Sequence, residues 1–102
     1  MAKTEVRTKI KPNLKLEEPG LYKVLYINDD ITTMEFVVNS LMEYFGYTEE
    51  TAISITEDIH QRGSAVVAIL PYEIAEQKGT EVTFDARRNG FPLQIKLECE
   101  VK

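Results

Sequence analysis

Apolar positions along the chain fall into two patterns. Three short runs are rich in aliphatic, β-branched or aromatic residues, and three longer segments repeat apolar residues at helical spacing. Leu21–Ile27 (LYKVLYI) predicts a strand, and its near-continuous apolar character predicts burial on both faces or a central place in a sheet. Asn28-Asp29-Asp30 ends it with turn residues. Met34, Val37, Val38, Leu41 and Phe45 follow helical spacing, with Thr32 or Thr33 as N-cap and Gly46 as the stop. A second helix starts at Thr48, places Glu49 and Glu50 at its positive end, and carries Ala52, Ile55 and Ile59 on one face before Gly63 ends it. Ala65–Leu70 predicts a second buried strand. Pro71 opens a third helix over Tyr72–Arg88, which Asn89-Gly90 closes; Gly79 inside it costs up to ~1 kcal/mol relative to Ala. Leu93–Cys99 alternates and predicts a third strand with one wet face. The order β-α-α-β-α-β predicts an α+β fold, a small three-stranded sheet packed against three helices in a sandwich-like arrangement.

Composition narrows the function classes. The chain has 102 residues, enough for one domain with a modest core. One cysteine excludes an internal disulfide framework, and one Cys with one His cannot supply a structural zinc site, so no metal or cofactor is expected. Cys99 reads as a small apolar residue in a reducing compartment. No apolar run approaches the ~20 residues of a membrane span, and the N-terminus lacks the apolar stretch of a secretory signal; a cytoplasmic location is the expectation. The net charge of −5 argues against nucleic acid as a partner. Residues 1–20 hold five Lys/Arg against three Glu, whereas residues 21–102 hold seven basic and fourteen acidic residues. Two prolines and no sustained apolar period mark residues 1–20 as a flexible extension, with Pro19-Gly20 as the boundary of the 21–102 core domain.

The most informative segment is Asn28–Met34, where a buried strand hands over to a helix. Turn formation accounts for one of the two adjacent carboxylates, and a binding site is the other reading. A lone histidine near a helix C-terminus gains from the dipole when charged, so His60 has a structural reading too. Its company favours a site: Thr56, Ile59 and His60 share one helix face. Together, Asn28, Asp29 and His60 make a cluster of acceptors beside Met34, Val37, Ile59 and Leu93. A peptide's free N-terminus suits such a cluster. Its ammonium offers three N–H donors to an amide oxygen, a carboxylate and a neutral imidazole nitrogen, and its first side chain fills the apolar part.

Specific residues then carry a resemblance. Tyr22-Lys23-Val24, Asn28-Asp29-Asp30, Thr32, Met34-Glu35-Phe36-Val37, Ala52, Ile59-His60, Gly63, Ala65, Glu73-Ile74-Ala75-Glu76, Lys78 and Pro92-Leu93 stand in the order and spacing of the ClpS family. The sequence resembles these adaptors of the ATP-dependent Clp protease over about residues 21–102. The resemblance implies a non-enzymatic, monomeric adaptor of N-end-rule proteolysis. Such adaptors bind N-degron proteins that begin with Leu, Phe, Tyr or Trp and hand them to the N-terminal domain of a Clp AAA+ unfoldase, ClpA or a ClpC-like relative. It puts α-amino binding on Asn28, Asp29 and His60, and the side-chain pocket on Thr32, Met34, Val37, Thr56, Ile59 and Leu93. Asp30 falls in the same loop motif. Glu73 and Lys78 fall on the unfoldase-facing surface, and the extension before residue 21 falls where the family carries its delivery segment. Thr56 stands where well-known members carry Met, which implies an enlarged or reshaped pocket, and Thr33 stands where many carry Pro.

Two other readings differ in class. An acidic pair after a buried strand also resembles the Mg²⁺-holding end of a receiver-like phosphoacceptor domain. Asp58 and Asp85, however, fall in predicted helices, which leaves no aspartate at a later strand end to take the phosphoryl group. An Asp/His enzyme is chemically permitted, but no serine or cysteine stands in a nucleophile-type turn.

Overall fold

The computed structural model describes residues 20–100. The extension assigned to residues 1–20, and the delivery role its position implies, lie outside the described residues except for Gly20. The elements run β1 (Leu21–Ile27), α1 (Met34–Phe45), α2 (Glu49–Arg62), β2 (Ser64–Pro71), α3 (Tyr72–Arg88) and β3 (Gln94–Cys99). All three strands form one antiparallel sheet in the order β2-β1-β3. An antiparallel three-stranded sheet is not the parallel five-stranded scaffold of a receiver domain, so the phosphoacceptor reading fails on topology.

Local chemistry sets the helix ends. The Thr33 hydroxyl accepts from the Phe36 amide at 3.1 Å, and the Thr48 hydroxyl accepts from the Thr51 amide at 3.3 Å. Each satisfies one orphan donor of a first helical turn. Gly46 (φ 75°) and Gly63 (φ 91°) end α1 and α2 in the left-handed conformation that side chains with a Cβ resist.

β1 takes the central position, but it is not buried on both faces. Val24 and Tyr26 turn inward and are fully buried with Leu41, Val67, Val82 and Leu93. Each large side chain of this kind contributes roughly 1.5–3 kcal/mol by leaving water. The other face pairs Lys23 with Ile69 and Glu98, and Leu25 with Val66 and Lys96. No described element covers it: Leu21, Val66 and Ile69 are all exposed. β2 is therefore an edge strand with one wet face rather than a buried one, and it extends one residue further at each end than its apolar run. Continuous apolar character misled because β2 carries a bulge. Val24 pairs with Ala68 and Leu25 with Val66, so Val67 is the unmatched residue and turns into the core. Its carbonyl accepts from the Tyr47 hydroxyl. Cys99 is likewise exposed rather than packed.

A buried polar link ties α1 to the sheet. The Ser40 hydroxyl donates to the Val37 carbonyl at 2.8 Å and lies 2.8 Å from the Tyr26 hydroxyl. Burial pushes the Tyr26 phenol far above its ordinary pKa, so it stays a neutral donor. Gly79 plays a packing role that its low helix propensity hides. It is buried where α3 meets β3, and a Cβ there would stand 3.4 Å from Ile95 Cγ2. No described helix is long and apolar enough to cross a membrane.

Candidate functional site

The loop after β1 and the end of α2 are brought together by a backbone bond. The Asn28 amide donates to the Gly63 carbonyl at 2.8 Å, while the Gly63 amide donates to the Ile59 carbonyl at 2.9 Å. The left-handed turn at Gly63 thus seats the last turn of α2, with His60 on it, against the exit of β1. Helix α1 starts from the same loop and brings Met34 and Val37. Leu93 arrives from the segment between α3 and β3, one residue before the strand rather than inside it as the alternation predicts.

The result is one cavity of about 270 Å³ of empty space. Asn28, Asp29, Thr32 and His60 supply its polar lining. Met34, Val37, Thr56, Ile59 and Leu93 supply the rest. Val37, Thr56, Ile59 and Leu93 are buried, whereas Met34 and His60 are exposed and stand at the solvent side. The hollow is narrow: the space open to a water-sized guest is about 20 Å³, well below the roughly 300–1,000 Å³ of sites for drug-sized ligands, so a side chain is admitted only as the exposed Met34 and His60 at its solvent side move apart.

Asp29 is already engaged. Its Oδ1 accepts from the amides of Ile31 (2.8 Å) and Thr32 (2.7 Å), and its Oδ2 accepts from the Thr32 hydroxyl (2.8 Å). The turn-forming reading of this carboxylate is therefore correct. It does not exhaust the group, because each carboxylate oxygen has two lone-pair sites and Oδ2 uses one. Burial acts to raise the Asp29 pKa, but the amides of Thr32 and Ile31, the Thr32 hydroxyl and the positive charge of Arg87 outweigh it. The carboxyl sits below its ordinary value of 3.8 and carries full charge at neutral pH. Among the described residues, the side chains of Asn28 and His60 have no hydrogen-bond partner. The cavity is thus lined by one fixed negative charge and by an Asn28 carboxamide and a His60 imidazole without partners among the described residues, which together suit a small cation attached to an apolar group.

The Thr56 hydroxyl donates to the Ala52 carbonyl at 2.8 Å within α2, a local back-bond. Its one donor is spent there, so Thr56 offers the cavity its methyl and acceptor sites only. Asp30 is exposed and does not line the cavity. Glu73 and Lys78 lie on the first half of α3, apart from it. Among the described residues no group of three or more His, Cys, Asp or Glu is placed to hold a metal ion.

Sequence patterns do not reveal Arg87. From the last turn of α3 its Nη1 donates to the carbonyls of Phe91 (3.0 Å) and Leu93 (2.8 Å). A long basic side chain at a helix end reads as a dipole partner, and nothing in residue spacing shows that it reaches over a loop.

Comparison with known proteins agrees with this geometry. Residues 17–96 match the family model described as ATP-dependent Clp protease adaptor protein ClpS. The ATP-dependent Clp protease adapter protein ClpS of Clostridium acetobutylicum is 41% identical over 95 residues, spanning 93% of this chain and 94% of that protein. The protein of the same name from Gluconobacter oxydans is 47% identical over 81 residues, spanning 79% of this chain and 68% of that one. The structure of Agrobacterium tumefaciens ClpS2 bound to L-phenylalaninamide superposes with a TM-score of 0.78 at 41% identity, covering 80% of this chain and 99% of that one. Family model, relatives and architecture agree over nearly the whole described chain, and the protein belongs to the ClpS family of Clp protease adaptors.

Proposed function

We propose that this protein is an N-degron adaptor. It holds the free α-amino group and bulky first side chain of a polypeptide in the cavity between β1, α1, α2 and Leu93, and delivers that polypeptide to a Clp unfoldase. The observation that carries the reading is the convergence of Asn28, Asp29 and His60 on one rim of a small, otherwise largely apolar cavity. The ammonium donates to the Asn28 amide oxygen, to the open site on Asp29 Oδ2 and to a His60 ring nitrogen. The first side chain packs among Met34, Val37, Thr56, Ile59 and Leu93, with Thr32 fixed by Asp29 at the mouth. A relative of the same fold bound to L-phenylalaninamide, a free amine next to a benzyl group, supports this guest.

The magnitudes are consistent. Hydrogen bonds to charged groups contribute about 1.5–3 kcal/mol each, and burial of one large apolar side chain contributes roughly the same. After ordering losses, a sum near −8 kcal/mol corresponds to binding around the micromolar range. Leu, Phe, Tyr and Trp are the first residues that membership of the ClpS family implies. The partner in delivery is the N-terminal domain of a ClpA or ClpC-like AAA+ unfoldase, met by the face of α3 that carries Glu73 and Lys78. The adaptor works as a cytoplasmic monomer, with no cofactor and no chemistry of its own.

Calorimetry with a short peptide beginning with Phe, free and N-acetylated, tests the pocket. The free peptide binds and the acetylated one does not, because acetylation removes the charge and two donors. Equal binding by both contradicts the ammonium contact.

A further inference from the structure

We infer that Arg87 is a positioning residue for the pocket: its guanidinium holds the Phe91–Leu93 loop by two carbonyls and so fixes the Leu93 wall against which the first side chain of the guest packs. This inference rests on the reading of the cavity as a peptide N-terminus site.

The loop is three residues long, and its path is not set by the sheet. β3 begins only at Gln94. Asn89 and Gly90 end α3, with Gly90 at φ 82°. The Phe91 amide donates to the Ala86 carbonyl at 2.9 Å, and Pro92 has no amide to give. The Phe91 ring packs edge-on against Phe36 of α1 at 5.3 Å between centroids. That leaves the carbonyls of Phe91 and Leu93 to be satisfied, and Arg87 Nη1 takes both, at 3.0 and 2.8 Å. Among the described residues no other side chain donates to this loop. A donor that is always charged and planar suits such a hold. Leu93 is 1% exposed and lines the cavity, so a shift of its backbone moves a pocket wall directly.

Arg88 provides the control inside the molecule. It carries the same charge in the same helical turn, but it pairs with Asp85 at 2.8 Å and lies over the Phe84 ring. A role through helix dipole or net charge is shared by both arginines; the loop contacts and the charge felt by Asp29 belong to Arg87, and high salt separates those two.

The test measures affinity for a Phe-first peptide by calorimetry, at a temperature where every variant is fully folded. Arg87→Met keeps an unbranched stem and removes the donors. It weakens binding about tenfold, equivalent to roughly 1.4 kcal/mol. The deficit persists in 1 M salt, where charge effects reach only about 3 Å, and Arg88→Met binds like the parent protein. An equal loss in Arg88→Met, a deficit that salt removes, or parental affinity in Arg87→Met overturns the inference. Arg87→Gln, with a single short amide donor, gives a second reading should Arg87→Met lose its fold, and the same outcomes apply. If the parent protein binds free and acetylated peptides alike, the pocket reading fails instead. The hold on the loop is then read without ligand. Exchange of the Phe91 amide speeds up in Arg87→Met and not in Arg88→Met; unchanged exchange in both overturns the inference.

Discussion

Two hollows of the described structure differ in the property that matters. One lies between α3 and β3, with a volume of about 480 Å³ open to a water-sized guest, and is lined by Gly79, Phe84, Ile95 and Leu97 with Glu76 and Arg87 at its margins. The other, at the exit of β1, offers such a guest only about 20 Å³. Of these two, volume alone selects the first. Chemistry selects the second, because its polar groups converge and two of them have no partner within the described structure. The large hollow is an open shelf beside the α3–β3 contact: Gly79 leaves a gap over Ile95 that a methyl would fill at 3.4 Å, and Phe84, 67% exposed, stands beyond it. The lesson is that unpaired acceptors facing a small, walled space identify a site better than empty volume does.

The contrast can be broken most sharply at Asp29. Asp29→Ala removes an ammonium partner and also releases the Ile31 and Thr32 amides that it holds. Loss of the ammonium contact, roughly 1.5–3 kcal/mol, weakens binding of a Phe-first peptide by about 10- to 100-fold, and the freed loop amides add to that. Glu73→Ala, on α3, leaves that affinity unchanged while weakening docking to the unfoldase N-terminal domain. Calorimetry with each partner checks both arms, and the same order of effects in both assays denies that there are two surfaces.

Next in size is His60. His60→Ala removes one of the three ammonium acceptors and weakens binding of a Phe-first peptide about tenfold; parental affinity in this variant contradicts an acceptor role for His60. The Asp29 pKa is depressed, so its contribution to stability and to binding is present above the unfolded value and is lost only as pH falls through the still lower folded value, in the acid range below 3.8; that contribution does not change between about pH 8 and 5.5.

The smallest expected effect is at the other hollow. Gly79→Ala restores helix propensity, and its methyl meets Ile95 at an ordinary contact distance. Thermal unfolding shows a gain of about 0.5–1 kcal/mol, with peptide affinity unchanged. A loss of affinity here means that the two hollows are coupled after all.

What could be read before any coordinates is the part of the molecule written in short-range pattern. The bounds of β1 and α3, the cap at Thr48 and the glycine stops at Gly46 and Gly63 depend on residues within a turn of one another, and they stand where pattern places them, while the first cap falls on Thr33, one of the two threonines pattern allows. The open sheet face was not legible, since apolar runs such as Ala65–Leu70 do not say how many faces are covered, nor that Val67 is bulged. At the site, residue types and the helical spacing of Thr56, Ile59 and His60 pointed to a common face. The double duty of Asp29, the spent hydroxyl of Thr56 and the reach of Arg87 to two carbonyls are three-dimensional facts. They depend on where the backbone donors and acceptors fall once the loops close.

Chemical-shift mapping with L-phenylalaninamide tests the central claim most directly. Amide and side-chain signals of Asn28, Asp29, Thr32, Thr56, His60 and Leu93 move on titration, those of Gly79, Phe84 and Leu97 stay still, and the N-acetylated compound moves neither set. Shifts centred on the α3–β3 hollow, or equal shifts with the acetylated compound, contradict the account.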